Sequence, residues 1–137
     1  MKSFKLSILA AERTFFEGEC ESLIIPTVDG QYGIMAGHSN LISAIIPGTL
    51  SYRVPGGNMQ YAAVSEGMIK VRDNRVLILV DSVLSPDEID EDRARRAADA
   101  AREAILQKRS IQEYRLAQAD LSRALNRLKV KNSHIAE

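Results

Sequence analysis

Glycine and proline stop abruptly in this chain. All eight glycines fall at or before Gly67, and the last of the four prolines is Pro86. Residues 87–137 hold neither, yet carry 21 of the 36 Asp, Glu, Lys and Arg residues. Frequent turn-formers allow many short reversals in the first part, whereas a long stretch without them suits uninterrupted helix. Ser85-Pro86 therefore marks a boundary between a turn-rich region, 1–84, and a helix-forming region, 85–137.

The first region reads with a period of two. Phe4, Leu6, Ile8 and Ala10 alternate with Lys5, Ser7 and Leu9, the pattern of a half-buried strand. Comparable runs cover residues 22–25, 49–54, 59–64, 68–71 and 76–80, separated by Asp29-Gly30, Pro47-Gly48, Pro55-Gly56-Gly57 and Asp73-Asn74. Residues 76–80 are apolar at every position, which predicts a strand with little solvent on either face. Short strands with turn signals at this spacing predict a β-sandwich or flattened barrel.

The second region reads in threes and fours. Ser85, Pro86 and Glu88 form a cap, a first-turn proline and a capping-box partner, and Ser110 with Glu113 repeats the box. One predicted helix places Ala94, Ala97, Ala98, Ala101, Ala104 and Ile105 on or near one face; the other aligns Ile111, Tyr114, Ala117, Leu121, Ala124 and Leu128. Each arm is expected to run about 20 residues, roughly 30 Å. The fold class is thus β + α: an N-terminal antiparallel β-sandwich at 1–84, then a C-terminal antiparallel two-helix hairpin at 85–137.

Burying an alanine methyl contributes about 0.8 kcal/mol, against roughly 1.5–3 for leucine or isoleucine. An alanine seam therefore holds its helices weakly, while good helix formers keep each arm helical if they separate. Two readings stay open: a static hairpin, or an element with more than one packing arrangement. A reversal near Arg109-Ser110 sets Arg93 level with Asn126 and Arg127, and Asp90 level with Lys129, with Arg123 one turn away. The basic residues Arg123, Arg127, Lys129 and Lys131 have no acid between Asp120 and Glu137, so they read as uncompensated within their own arm. The cluster fits either a phosphate site or an interhelical ladder with Asp90 and Asp92.

Several chemistries are poorly served. Eighteen basic residues balance eighteen acidic ones, so no overall field favours nucleic acid or anionic lipid. His38, His134 and Cys20 are isolated potential metal ligands, and Cys20 between Glu19 and Glu21 reads as packed. His38-Ser39 lacks a nucleophile elbow, and no phosphate-binding glycine loop is present. No apolar run reaches the roughly 18 residues of a membrane span. The start, Met1-Lys2-Ser3-Phe4-Lys5-Leu6, leads into alternating polarity and reads as neither a secretory signal nor a transit peptide.

The stretch Pro26-Thr27-Val28-Asp29-Gly30-Gln31-Tyr32-Gly33-Ile34-Met35-Ala36-Gly37-His38, followed by Pro47-Gly48, resembles the signature of the epsilon subunit of F-type ATP synthases. The order of sandwich and alanine-rich hairpin is similar to that family over essentially the whole chain. The resemblance implies a non-catalytic central-stalk subunit that turns with the rotor, coupling proton or sodium transport to ATP synthesis. Its sandwich would dock on the gamma subunit and the c-subunit ring, with Met35, His38, Leu41 and Ile42 shaping that surface. Its hairpin would extend towards the alpha and beta subunits, where the basic arm Arg123, Arg127, Lys129 and Lys131 would restrain ATP hydrolysis. Ile89-Asp90-Glu91-Asp92-Arg93-Ala94 is similar to a motif by which some bacterial members bind ATP. The resemblance then sets Ile89 and Asp90 on the adenosine, with Ala94 beside them, and Arg93, Arg123 and Arg127 on the phosphates. The resemblance further implies that no cofactor is required, that ATP acts as a regulatory ligand, and that the chain works at the cytoplasmic face of a bacterial membrane. Competing readings are a free-standing nucleotide sensor and a plain structural adaptor.

Overall fold

The computed structural model describes residues 2–107 and 110–136. Lys108 and Arg109 of the expected reversal, and the side chain of His134, lie outside the described residues. The chain divides into two compact units, Met1–Leu84 and Ser85–Glu137.

The first unit is a sandwich of two five-stranded sheets. One contains β1 (Phe4–Ala10), β2 (Thr14–Cys20), β5 (Leu41–Ile45), β8 (Gly67–Arg72) and β9 (Arg75–Val80), in the order β2-β1-β9-β8-β5. The other contains β3 (Ser22–Thr27), β4 (Gly30–Met35), β6 (Gly48–Arg53), β7 (Met59–Val64) and β10 (Val83–Leu84), in the order β10-β7-β6-β3-β4. Facing side chains from both sheets make the core, among them Phe4, Leu6, Ile8, Leu23, Ile25, Ile34, Leu50, Ile69 and Ile78, none more than 1% exposed. Each contributes roughly 1.5–3 kcal/mol by burial.

Two expectations change. The pairing is antiparallel except between β1 and β9, which run parallel with Lys5 beside Arg75 and Ile8 beside Ile78. The tight β8–β9 turn sets the direction of β9, and β1 takes the open side of that strand while β2 covers its own. Nor is β9 buried on both faces: Val76, Ile78 and Val80 point inward, but Leu79 is 40% exposed and Leu77 half-buried. An apolar strand in the middle of a sheet still has an outer face, and here that face is open.

Asp73 and Asn74 form the β8–β9 turn with φ of 50° and 63°, as a two-residue hairpin requires. Asn74 also ties distant backbone together. Its Oδ1 accepts the Gly37 N–H at 2.8 Å, and its Nδ2 donates to the Ser3 carbonyl at 2.9 Å. Asn40 Oδ1 accepts the Asp73 N–H at 3.1 Å, so the β4–β5 loop is fastened to this turn. Asn74→Ala is expected to lower unfolding stability by about 2–3 kcal/mol, combining two lost hydrogen bonds with a left-handed backbone that alanine resists. Asn74→Gly, which keeps the turn but not the bonds, should lose less; equal urea midpoints for wild type and Asn74→Ala would refute the fastening role.

In the second unit the capping box at Ser85 closes only a single 3-10 turn, Pro86–Glu88. The Ser85 N–H and hydroxyl both donate to Glu88 Oε1 at 3.0 Å. Ile89 then turns extended, with φ −89° and ψ 121°. The long helices are α1 (Glu91–Gln107) and α2 (Ile111–Ala136), of 17 and 26 residues rather than two equal arms. Helix α1 therefore starts later than predicted, because Asp90 replaces Ser85 as its cap: Oδ1 accepts the Arg93 N–H at 3.1 Å. Helix α2 starts as expected, with Ser110 Oγ accepting the Glu113 N–H at 3.0 Å.

Candidate functional site

The hairpin seam is built from small residues. Ala94, Ala98 and Ala101 of α1 and Ala117 and Ala124 of α2 are at most 5% exposed, and the two helices pack along each other. Ala97 and Ala104 are exposed instead, since they sit a position off the buried stripe, and Ile111 is 72% exposed at the start of α2. Lys131 Nζ donates to the Pro86 carbonyl at 3.0 Å, which sets the end of α2 beside the start of the unit. Asp90 and Arg93 stand at the start of α1, Arg123 at the middle of α2 and Arg127 in its C-terminal half, so all four fall towards the open end of the hairpin.

The side chains of this cluster are already partly committed. Asp90 is exposed but spends one carboxylate oxygen on the α1 cap. Arg93 is exposed, Arg127 half-buried, and Ile89 and Ala94 are buried at 4% and 5% exposure. Arg123 pairs with Asp120 one turn back, with Nη1 3.2 Å from Oδ1. The expectation that Arg123 is uncompensated within its own arm is therefore corrected: an acid three residues earlier lies on the same helical face. Lys129 is exposed on α2, and Lys131 is engaged through its ammonium, so the basic arm also helps to close the hairpin.

The residues expected at the docking surface cluster around the β4–β5 loop. Met35 ends β4 at 66% exposure and Ile42 lies in β5 at 67%. These are edge strands of different sheets at the same side of the sandwich. Leu41 is half-buried against the core, so it supports the loop more than it enlarges an apolar patch. His38 is held by both ring nitrogens: Nδ1 lies 2.7 Å from the Ser39 carbonyl and Nε2 2.9 Å from the Tyr32 hydroxyl. A carbonyl can only accept, so Nδ1 carries the proton and Nε2 accepts from Tyr32. His38 is thereby a strut between neighbouring residues, with neither nitrogen aimed at the Ser39 hydroxyl.

The glycine-rich run that precedes it has local physical reasons. Thr27 Oγ donates to the Gly30 carbonyl at 2.7 Å and accepts the Asp29 N–H at 3.3 Å, closing the β3–β4 turn. Gly30 takes φ of 110°, reserved in practice for glycine. Pro26 packs against Gly48, where a Cβ would lie 2.7 Å from the proline Cβ. Cys20 is fully buried, and its thiol lies within donor reach of the Ser22 and Arg53 carbonyls at 3.0 and 3.1 Å. Burial pushes that thiol above its ordinary pKa, so it stays a protonated donor. No group of three or more His, Cys, Asp or Glu side chains able to hold a metal occurs among the described residues, and no described helix is long and apolar enough to cross a membrane.

Comparison with known proteins places this arrangement. Residues 3–86 match the family model of the ATP synthase delta/epsilon chain β-sandwich domain, and residues 87–132 that of its long α-helix domain. An ATP synthase epsilon chain from Caldicellulosiruptor saccharolyticus is 39% identical over 130 residues, covering 95% of this chain and 94% of that one. One from Caldanaerobacter subterraneus subsp. tengcongensis is 40% identical over 134 residues, covering 97% and 96%. A chain in the cryo-EM structure of the Euglena gracilis mitochondrial ATP synthase, described as OSCP/F1/c-ring, shares the fold with a TM-score of 0.81 at 20% identity, covering 98% of this chain and 82% of that one. With both halves matched and curated relatives similar over nearly their full length, the chain belongs to the ATP synthase delta/epsilon family, as a relative of its epsilon chains.

Proposed function

We propose that this chain is a non-catalytic rotor subunit of an F-type ATP synthase at the cytoplasmic face of a bacterial membrane, and that its hairpin is an ATP-responsive brake on hydrolysis. The sandwich docks on the gamma subunit and c ring through the loop held by His38 and Asn74, with Met35 and Ile42 as apolar contacts. Rotation transmits proton or sodium flow to catalytic sites on other subunits. When the hairpin opens, the basic arm of α2 meets the alpha and beta subunits.

The observation that carries the regulatory part is the alanine seam with Asp90, Arg93, Arg123 and Arg127 gathered at its open half. ATP touching both arms would favour the closed hairpin, by no more than its difference in affinity for the two states. Binding would exchange the Arg123–Asp120 pair for phosphate contacts, an inexpensive trade because that pair is local and partly exposed.

The test is an ATP titration of the full chain, read by a distance probe between α1 and α2. Arg93→Ala is expected to weaken the ATP-induced compaction by about tenfold, the loss of one charge-assisted contact. An unchanged midpoint would remove the site. A free-standing sensor would give the same titration yet fail to co-purify with gamma, so a second measurement of assembly separates the two readings.

A further inference from the structure

A basic depression lies on the outer face of the β2-β1-β9-β8-β5 sheet, beside the Asp73-Asn74 turn that fastens the β4–β5 loop. Lys5, Arg75 and Arg72 stand in register on β1, β9 and β8, with neighbouring strands about 4.8 Å apart. Lys70 extends the same face two residues along β8, opposite Leu77, which is itself in register with Ser7. Together they line a concavity of about 390 Å³ with Leu77 in its wall.

This arrangement is costly without a ligand. Like charges directly opposite one another on a sheet are destabilising, and here Arg72 faces Arg75 while Lys5 flanks it. Two carboxylates are nearest. Asp73 Oδ2 lies 3.7 Å from Arg72 Nε with both side chains exposed, and Glu19, beside Lys5, accepts the Ser3 hydroxyl at 2.7 Å. Glu17 flanks Ser7 rather than a cation. Four cations therefore share an open concavity with partial compensation at one corner and one edge.

We propose that this depression binds a compact anion bearing a terminal phosphoryl group. Two planar guanidinium forks on adjacent strands suit neighbouring phosphate oxygens, the lysines add point charges at either side, and the Ser7 hydroxyl supplies a further donor. A concavity this small suits a compact group better than an extended acidic segment, which would need a longer trough. The same chemistry is offered by free pyrophosphate and by a lipid phosphomonoester headgroup.

The test uses the full-length chain in three titrations: with inorganic pyrophosphate, with phosphatidylcholine vesicles carrying phosphatidic acid, and with citrate as a carboxylate trianion. Saturable binding of pyrophosphate alone identifies a free ligand; stronger binding to the phosphatidic acid vesicles identifies a headgroup site. Arg72→Gln and Arg75→Gln should each weaken the productive arm by about tenfold, as loss of a charge-assisted contact implies, while Arg53→Gln, at an exposed position on β6 of the other sheet, should leave it unchanged. The arginine variants should melt no lower than wild type in the absence of ligand, since they relieve repulsion. Should either fail to fold, Lys70→Gln carries the same expectation. Binding of citrate as tight as pyrophosphate, equal binding by the variants, or no binding in the two phosphate arms would each overturn the site.

Discussion

Gly67→Ala is expected to destabilise the sandwich by about 3 kcal/mol or more. Gly67 opens β8 and lies opposite Val80 of β9 and Ile45 of β5, in the middle of three paired strands. A Cβ there would run into the Leu79 carbonyl oxygen, and would stand 2.7 Å from both Val80 Cα and Val80 Cγ1. Two of those three atoms are backbone, so no side-chain rotation relieves the clash and β9 itself must shift. β9 pairs with both β1 and β8, and Ile78 and Val80 belong to the core, so the displacement spreads. Overpacking in a well-ordered core costs about 1–3 kcal/mol, and a clash with central backbone belongs at or beyond the upper end. Against a total stability of roughly 5–15 kcal/mol for an ordinary domain, that is a large fraction. Gly33→Ala is the control, because a Cβ at Gly33 meets nothing within 4 Å. Urea midpoints of the two variants settle the matter: parity between them would show that the β8–β9 approach is not the constraint described.

Ala98→Leu is expected to part the hairpin without melting its helices. Ala98 is 1% exposed at the centre of the α1 stripe, between Ala94 and Ala101. The five buried seam alanines contribute on the order of 4 kcal/mol at about 0.8 each. A leucine in that space costs about 1–3 kcal/mol by overpacking, a large share of what those five alanines contribute. The arms can separate because their exposed faces carry local pairs that do not depend on the partner helix, such as Glu91–Arg95 at 2.8 Å and Asp99–Arg102 at 3.4 Å. The expected result is a longer distance between probes on the two helices, with far-UV ellipticity largely kept. In the proposed regulatory scheme the same variant would need more ATP to close. If the probe distance and the thermal midpoint both match wild type, the seam is not the weak link.

The strands that escaped the sequence reading share one property. Thr14–Cys20, Gly30–Met35, Leu41–Ile45 and Val83–Leu84 are the four outer strands of the two sheets. An outer strand buries fewer residues and tolerates charge and glycine, so its alternation is faint. In β4 only Ile34 is buried, and β2 carries Glu17 and Glu19 on its exposed face. The inner strands, flanked on both sides, show the period plainly. The seam of the hairpin was legible for a similar reason, since Ala94, Ala98 and Ala101 recur at helical spacing on one helix. Its outlying members were not, because a stripe about one residue wide decides between Ala97 and Ala98.

The candidate site was legible as a set of charges but not as a set of partners. Spacing brought Asp90, Arg93, Arg123 and Arg127 to one half of the hairpin. It did not reveal that Asp90 caps α1, that Arg123 turns to Asp120, or that Lys131 reaches the Pro86 carbonyl. The basic depression escaped altogether. Lys5 and Arg75 are seventy residues apart in the chain, and only the β1–β9 register makes them neighbours.

The order of amino acids by itself determined the two-part plan, the class of each part and the small-residue seam, because periodicity and turn chemistry act over a few residues and need no distant partner. Tertiary structure alone decided the parallel insertion of β1, the outer strands, the open face of β9 and the partners of each charge. Those depend on which segments meet in space, and the free energy of such meetings is set by packing and electrostatics between residues that the chain keeps far apart.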